Sequence, residues 1–121
     1  MCYNKAKKES QRVYDREQRK NADFYSSKEW VRLTELCKNK FKGLDIYRLY
    51  KYRVYTSGEL SHHVEELNDN KERALDIKNL IYLSDESHRE IHTAYNKSKE
   101  DKRVMQEYLF EIIKQYEKEY M

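Results

Sequence analysis

The four histidines of this 121-residue chain stand in two pairs of different geometry. His62 and His63 are adjacent in "SHHVEEL", and His88 and His92 are four apart in "SHREIH". Residues four apart share one face of an α-helix, whereas neighbours on a strand point to opposite faces. A fold that gathers all four must pack a strand against a helix, and the adjacent pair can serve one site only where that strand ends or twists. Either pair alone is common in proteins without any metal. Together they exhaust the histidine supply, which points to a single site. His88 and His92 can offer two imidazoles to one cation, and His62 can add a third while leaving open positions for water and a ligand. His63 then remains free. With an ordinary pKa near ~6.5 it is mostly neutral at physiological pH and able to accept a proton.

The elements that carry these residues must be read from periodicity and caps, because the chain has no Pro and only two Gly. "SSKEW" opens a helix, with Ser26 and Glu29 in capping-box spacing and Trp30, Leu33, Cys37 and Phe41 as its apolar stripe, until Gly43 stops it. The β-branched and aromatic run "LDIYRLYKYRVY", dense from Ile46 to Tyr55, is expected to form a strand. "TSGE" would then turn it into "LSHHVEEL" as a β-hairpin. "NDNKERALD" reads as a polar connection and "IKNLIYL" as a short apolar stretch. Ser84 is placed to cap a helix with Asp85 and Glu86 in its first turn and His88 and His92 on its body. Ser98 and Asp101 repeat the capping spacing. Val104, Met105, Tyr108, Leu109, Ile112, Ile113 and Tyr116 then form a long helical stripe that packs on the body or on a partner.

Charged residues are 39% of the chain, but twelve Tyr and three Phe supply more aromatic mass than disordered segments carry, so the chain is expected to fold as one domain. No apolar run is long enough to cross a bilayer, and "MCYNKAKKES" lacks the apolar region of an export signal. Cys2 and Cys37 form no CxxC, so an intracellular protein with reduced thiols is expected. The net charge of +3 hides an asymmetry. Residues 1–53 hold 15 Lys or Arg against 7 Asp or Glu, and residues 54–121 hold 10 against 15. A basic half of this kind suits a polyanionic partner, although solubility alone would also account for it. Residues 3–22 are heavily basic, with Arg12, Arg16, Arg19 and Lys20 suited to following a phosphate backbone; otherwise they form a solubilising tail. "YRLYKYRVY" interleaves Tyr with Arg48, Lys51 and Arg53. That pattern fits a surface that stacks bases and touches phosphates, and equally an amphipathic element with an aromatic inner face and a cationic outer one.

The order "HHV", then Asn79-Leu80 in "IKNLIYL", then "SHREIH" resembles the motif of HNH endonucleases, the ββα-metal (His-Me finger) nucleases, in the His-His, Asn, His-xxx-His form of nuclease colicins. The resemblance spans about residues 24–95. "FYSSKEWVRL" is similar to the aromatic-Ser-Lys-x-Trp helix of short bacteriophage and prophage members. The resemblance implies an α+β fold with a ββα-metal core, flanked by an N-terminal helix and a long C-terminal helix. Its parts would be a basic arm over residues 1–22, a nuclease core over 23–96 and a C-terminal helix over 97–121. Carried over residue by residue, His63 is the general base, His62 and His88 are ligands of one divalent ion, Mg²⁺, Mn²⁺, Ni²⁺ or Zn²⁺, and His92 is a further ligand or a phosphate contact. Asn79 braces the loop and the base. Apart from the resemblance, Arg89 stands beside His88, where it would steady a phosphate or simply be solvated.

Many phage members also hold a structural zinc on two CxxC pairs. Here Ser84 and Ser87 stand where the second pair would fall, so no structural zinc is expected and burial must hold the fold. The implied activity is hydrolysis of DNA to 5′-phosphate and 3′-hydroxyl ends in the cytoplasm of a bacterial host, with phage terminase or packaging proteins as candidate partners. The rival readings are a non-catalytic DNA-binding or packaging module that keeps the scaffold, and a purely structural zinc site.

Overall fold

The computed structural model describes residues 21–121, so Arg12, Arg16, Arg19 and Lys20 of the basic arm lie outside the described residues. In chain order the elements are α1 (Ala22–Tyr25), α2 (Lys28–Lys40), α3 (Ile46–Lys51), β1 (Leu60–His63), β2 (Leu80–Leu83), α4 (Asp85–Tyr95) and α5 (Lys99–Tyr120). Two 3-10 turns, Lys71–Arg73 and Ile77–Asn79, lie in the long connection between the strands. β1 and β2 pair antiparallel, with Leu60 opposite Leu83 and His63 opposite Leu80. β2 runs through Ser84 straight into α4, which gives the expected ββα core inside an α+β fold.

The hairpin is not built from the expected segments. The run from Ile46 to Tyr55 does not form its first strand: Ile46–Lys51 is helical, and the partner of β1 is the apolar stretch Leu80–Leu83. The cause is local. Asp45 is an N-cap whose carboxylate accepts the Arg48 amide at 2.8 Å. With that cap in place, Ile46, Leu49 and Tyr50 fall at i, i+3 and i+4 on one face. Ile46 and Tyr47 are fully buried, and Leu49 and Tyr50 pack partly against the core. The β-propensity of aromatic and branched residues is worth too little to oppose a cap and a buried helical face.

In α2 the cap is Ser27 rather than Ser26: its hydroxyl accepts the Trp30 amide at 3.2 Å. Trp30, Cys37 and Phe41 are buried and Leu33 half-buried, as the stripe requires. The chain leaves α2 through two left-handed residues, Lys42 at φ 58° and Gly43 at φ 71°, where glycine carries no steric penalty. Gly58 is needed for space: a Cβ there would meet the Tyr82 ring at 2.3 Å. α5 buries Leu109, Ile112, Ile113 and Tyr116, while Val104 at the start of its stripe is exposed. The Tyr116 hydroxyl donates to the Lys40 carbonyl at 2.8 Å and its ring lies 5.0 Å from Phe41, so this helix packs on the body of its own chain. Among the described residues no helix is long and apolar enough to cross a membrane.

The helices and the hairpin meet at one polar group. Asp45 is fully buried, and its Oδ2 accepts both the Ser84 amide at 2.9 Å and the Ser84 hydroxyl at 2.6 Å. The Ser84 Oγ in turn accepts the Ser87 amide at 3.2 Å and so caps α4. Ser84 thus links α3 to the β2–α4 junction by hydrogen bonds. Asp45→Ala would leave three donors without an acceptor, the two of Ser84 buried and the Arg48 amide half-buried. A loss of about 3 kcal/mol or more is expected, at 1–3 kcal/mol for each unsatisfied group. It should be read as a lower midpoint in urea denaturation with an unchanged slope, and a wild-type midpoint would show that the link adds nothing to stability.

Candidate active site

Strand alternation sends His62 and His63 in opposite directions, and the fold uses both. His62 faces α4, on which His88 and His92 lie one turn apart. Ring centroids are 5.0 Å from His62 to His88, 5.7 Å from His62 to His92 and 4.6 Å from His88 to His92. One nitrogen from each of the three rings lies within 4.8 Å of the others. All three side chains are buried. Burial, and then the proximity of His88 and His92, holds the His62 imidazolium far below its ordinary range. Burial and His92 push His88 down to about 3. Burial likewise lowers His92, against the opposing pull of Glu66. Each ring therefore presents a lone pair at neutral pH, which is the form a cation requires.

His63 is the last residue of β1, where the chain turns away, and this meets the geometric condition on an adjacent pair. Its ring stacks on Trp30 at 4.8 Å with planes 20° apart. Its Nε2 lies 2.9 Å from the Ala74 carbonyl. A carbonyl only accepts, so Nε2 carries the proton and Nδ1 holds the lone pair. Burial lowers the pKa of His63, partly offset by the Ala74 bond and by Glu66. His62, His63, His88 and His92 all line one cavity of about 260 Å³, together with Trp30 and Glu66.

Asn79 is fully buried and does not line the cavity. Its Oδ1 accepts the Glu65 amide at 2.8 Å, and its Nδ2 donates to the carbonyls of Glu65 at 3.0 Å and Arg73 at 3.3 Å. It ties the two ends of the loop whose next carbonyl, that of Ala74, receives His63. The structure thus gathers His62, His63, His88 and His92 around one cavity and puts Asn79 behind it.

It does not bring the arginines there. Arg89 is exposed, 3.0 Å from Asp85 within its own helix, and does not line the cavity. Arg48 pairs with Glu86 at 3.3 Å and Glu90 at 3.5 Å, and Lys51 with Glu90 at 3.0 Å. Glu90 is two residues from both His88 and His92, hence roughly 200° or 160° around α4, on its far side. Arg53 is exposed at φ 59°.

Four further groups of the site lie beyond what the sequence pattern picks out. Trp30 appears there only as core. The Ala74 carbonyl is backbone and has no residue signature. Glu66 is held by Lys102 at 2.5 Å, a pairing between residues far apart in the chain. The Tyr95 hydroxyl donates to the Val64 carbonyl at 2.7 Å and lies 3.4 Å from His62 Nε2. Only Tyr95 had a signal, since it follows His88 and His92 on the same helical face.

A hairpin that runs directly into a helix, with histidines of the strand end and of the helix on one cavity, defines the ββα finger class. No family model and no curated protein matches the sequence. Among solved structures, the chain is similar to the crystal structure of the HNH endonuclease of the deep-sea thermophilic bacteriophage GVE2 with manganese ion. The identity is 30%, covering 75% of this chain and 90% of that one, with a TM-score of 0.56. The chain belongs to the HNH endonuclease family.

The depressed histidines make metal-free stability depend on pH. Unfolded, each binds a proton near pH ~6.5; folded, it resists doing so. The metal-free protein should therefore be fully stable above that pH and lose stability as pH falls. His88 alone contributes up to about 1.4 kcal/mol per pH unit between ~6.5 and its folded value of about 3. Melting in EDTA from pH 7.5 to 5 checks this, and a constant melting temperature would contradict the buried, neutral cluster.

Proposed function

We propose that the protein is a divalent-metal-dependent DNA endonuclease that hydrolyses phosphodiester bonds to 5′-phosphate and 3′-hydroxyl ends. The observation that carries this reading is the convergence of His62, His88 and His92 within 4.8 Å, with His63 on the same cavity, in a chain of the HNH family. Three neutral imidazoles are a donor set for Mn²⁺, Ni²⁺ or Zn²⁺ rather than for Mg²⁺, which prefers oxygen ligands. Manganese is also the ion in the structure of the GVE2 enzyme. When bound, such an ion would polarise the scissile phosphate and stabilise the leaving 3′ oxygen.

The remaining steps belong to the chain. Nδ1 of His63 accepts the proton of the attacking water, because Nε2–H is committed to the Ala74 carbonyl. Asn79 keeps that carbonyl in place through Glu65 and Arg73. Arg89, exposed and paired with Asp85, is left out of this machinery. Arg48 and Lys51 face Glu90, so DNA affinity is assigned mainly to Arg53 and to the basic arm with Arg12, Arg16, Arg19 and Lys20. The site of action of such a nuclease is the cytoplasm of a bacterial host.

Plasmid cleavage with Mn²⁺, Ni²⁺, Zn²⁺, Mg²⁺ and EDTA tests the activity. His63→Ala should slow cleavage by about 10²–10⁴-fold while Mn²⁺ affinity stays near wild type. His88→Ala should lose both. Equal activity of wild type and His63→Ala would remove His63 as the base, and tight metal binding without any cleavage would favour a structural site.

Deleting residues 1–20 removes seven Lys or Arg and three Asp or Glu. Affinity should fall similarly for unrelated DNA sequences, and the slope of log affinity against log salt should become shallower by about 0.9 for each phosphate that the arm no longer neutralises. A fall confined to one sequence would instead mean that the arm reads bases.

A further inference from the structure

Trp30 is the only tryptophan of the chain, and it is placed against an imidazole. Its ring lies 4.8 Å from that of His63 at 20°, a stacked arrangement. Phe24 approaches the same imidazole at 5.9 Å and Tyr25 at 6.3 Å, both at steep angles. Each of these two rings also packs on Trp30 at 5.4 Å. The result is an aromatic wall built from α1 and α2 against the end of β1.

A histidine has one stiff torsion and one broad one, so its ring plane needs external support. The bond from Nε2–H to the Ala74 carbonyl at 2.9 Å fixes one in-plane direction but leaves the ring free to rock about that line. Stacking removes the remaining freedom, because a rocked ring would either press its edge into the indole or open a gap against it. The hydrogen bond and the stack together define a single direction for Nδ1. Trp30 is 8% exposed, and the imidazole covers part of its face.

We infer that Trp30, backed by Phe24 and Tyr25, is a positioning residue that holds the imidazole plane of His63 so that Nδ1 stays aimed at the attacking water. The inference rests on the reading of His63 as general base. Trp30 acts through His63 and not on the metal: its stack is with the one cavity histidine that is not part of the three-imidazole cluster.

The test compares wild type with Trp30→Leu, Trp30→Met, Trp30→Phe, Leu33→Ala and His63→Ala in single-turnover plasmid cleavage with Mn²⁺. Each variant is also measured for Mn²⁺ affinity, DNA affinity, melting temperature and the ¹⁵N signals of the His63 ring. Leu33 lies on the same helix, packs on the core and does not line the cavity, so it reports plain destabilisation of α2. Trp30→Leu should cleave about 100-fold slower, the order expected for a misplaced catalytic group. Its Mn²⁺ and DNA affinities should stay within about twofold of wild type, since the groups that bind them are untouched. Trp30→Phe keeps an aromatic face and should recover most of the rate, and Leu33→Ala should keep it. Wild type should show the separated nitrogen signals of one tautomer, with exchange averaging in Trp30→Leu. Trp30→Met, apolar but without a ring, decides the matter should the Leu variant fail to fold.

A wild-type rate in the folded ringless variant, a fall matched by Leu33→Ala, or a slow variant with unchanged imidazole signals would each overturn the inference. The two readings separate cleanly. Cleavage by His63→Ala at the wild-type rate removes the base itself, whereas loss of activity in His63→Ala with full activity in Trp30→Leu removes only the positioning role.

Discussion

The Asp45 carboxylate accepts hydrogen bonds from the amides of Arg48 and Ser84 and from the Ser84 hydroxyl. Two of these donors begin helices: Arg48 lies in the first turn of α3, and Ser84 caps α4. One buried group therefore sets where both helices start and how far apart they stand. At the other end of β2, Asn79 bonds the loop that follows β1. Between these anchors Leu80, Ile81, Tyr82 and Leu83 are all buried. β2 is thus an apolar peg pinned by polar groups at each end. Its lower pin controls the loop carbonyl that meets His63, and its upper pin controls the turn of α4 that presents His88 and His92. Without that double restraint a two-stranded ribbon would be too weak to hold imidazoles in register.

Gathering three imidazoles in a dry place is costly in the metal-free state. Burial and mutual proximity keep His62, His88 and His92 neutral, so the fold resists protons at the same point where it presents lone pairs. The surrounding core must supply the stability, and it does so with Tyr95, Ile91 and the buried face of α5. Tyr95 shows the connection: its hydroxyl anchors the Val64 carbonyl just after β1 while its ring packs 5.5 Å from His62. A cation that takes the three lone pairs would be linked to folding through the same residues.

Much of the site was legible in the sequence because it rests on local spacing. The i,i+4 pair on a helix, the Ser84 cap and the stripe of α5 depend on periodicity alone, and each forms where it was expected. Other features depended on long-range pairing that spacing does not carry. The run Ile46–Tyr55 has strand-like composition, yet Asp45 caps it as a helix, and what makes Asp45 decisive is its bond to Ser84, 39 positions away. "IKNLIYL" was legible as apolar but not as the second strand, since a four-residue strand has too few positions to show a period. Trp30 looked like core and is core, and only its stack on His63 adds a role in the site. The Ala74 carbonyl could not be read at all, because any residue supplies one.

The charge split between the halves of the chain acquires a second meaning in the structure. Lys40 meets Glu117 at 2.6 Å, Arg48 meets Glu86 and Glu90, and Lys51 meets Glu90. Each of these cations comes from the basic half and each partner from the acidic half. The tyrosines interleaved with them behave alike: Tyr47 and Tyr52 donate to Glu90 and Tyr50 to Glu119, so their polar ends dock α3 and the segment after it onto α4 and α5. Part of the asymmetry is therefore complementarity between halves that pack together, and only the remaining cations are free to raise the local concentration of a polyanion. On α4 the division is by face. Glu86 and Glu90 bind the basic half on one side, and His88 and His92 turn toward the hairpin on the other, so the ion pairs that fasten the helix do not compete with the imidazoles for the cavity.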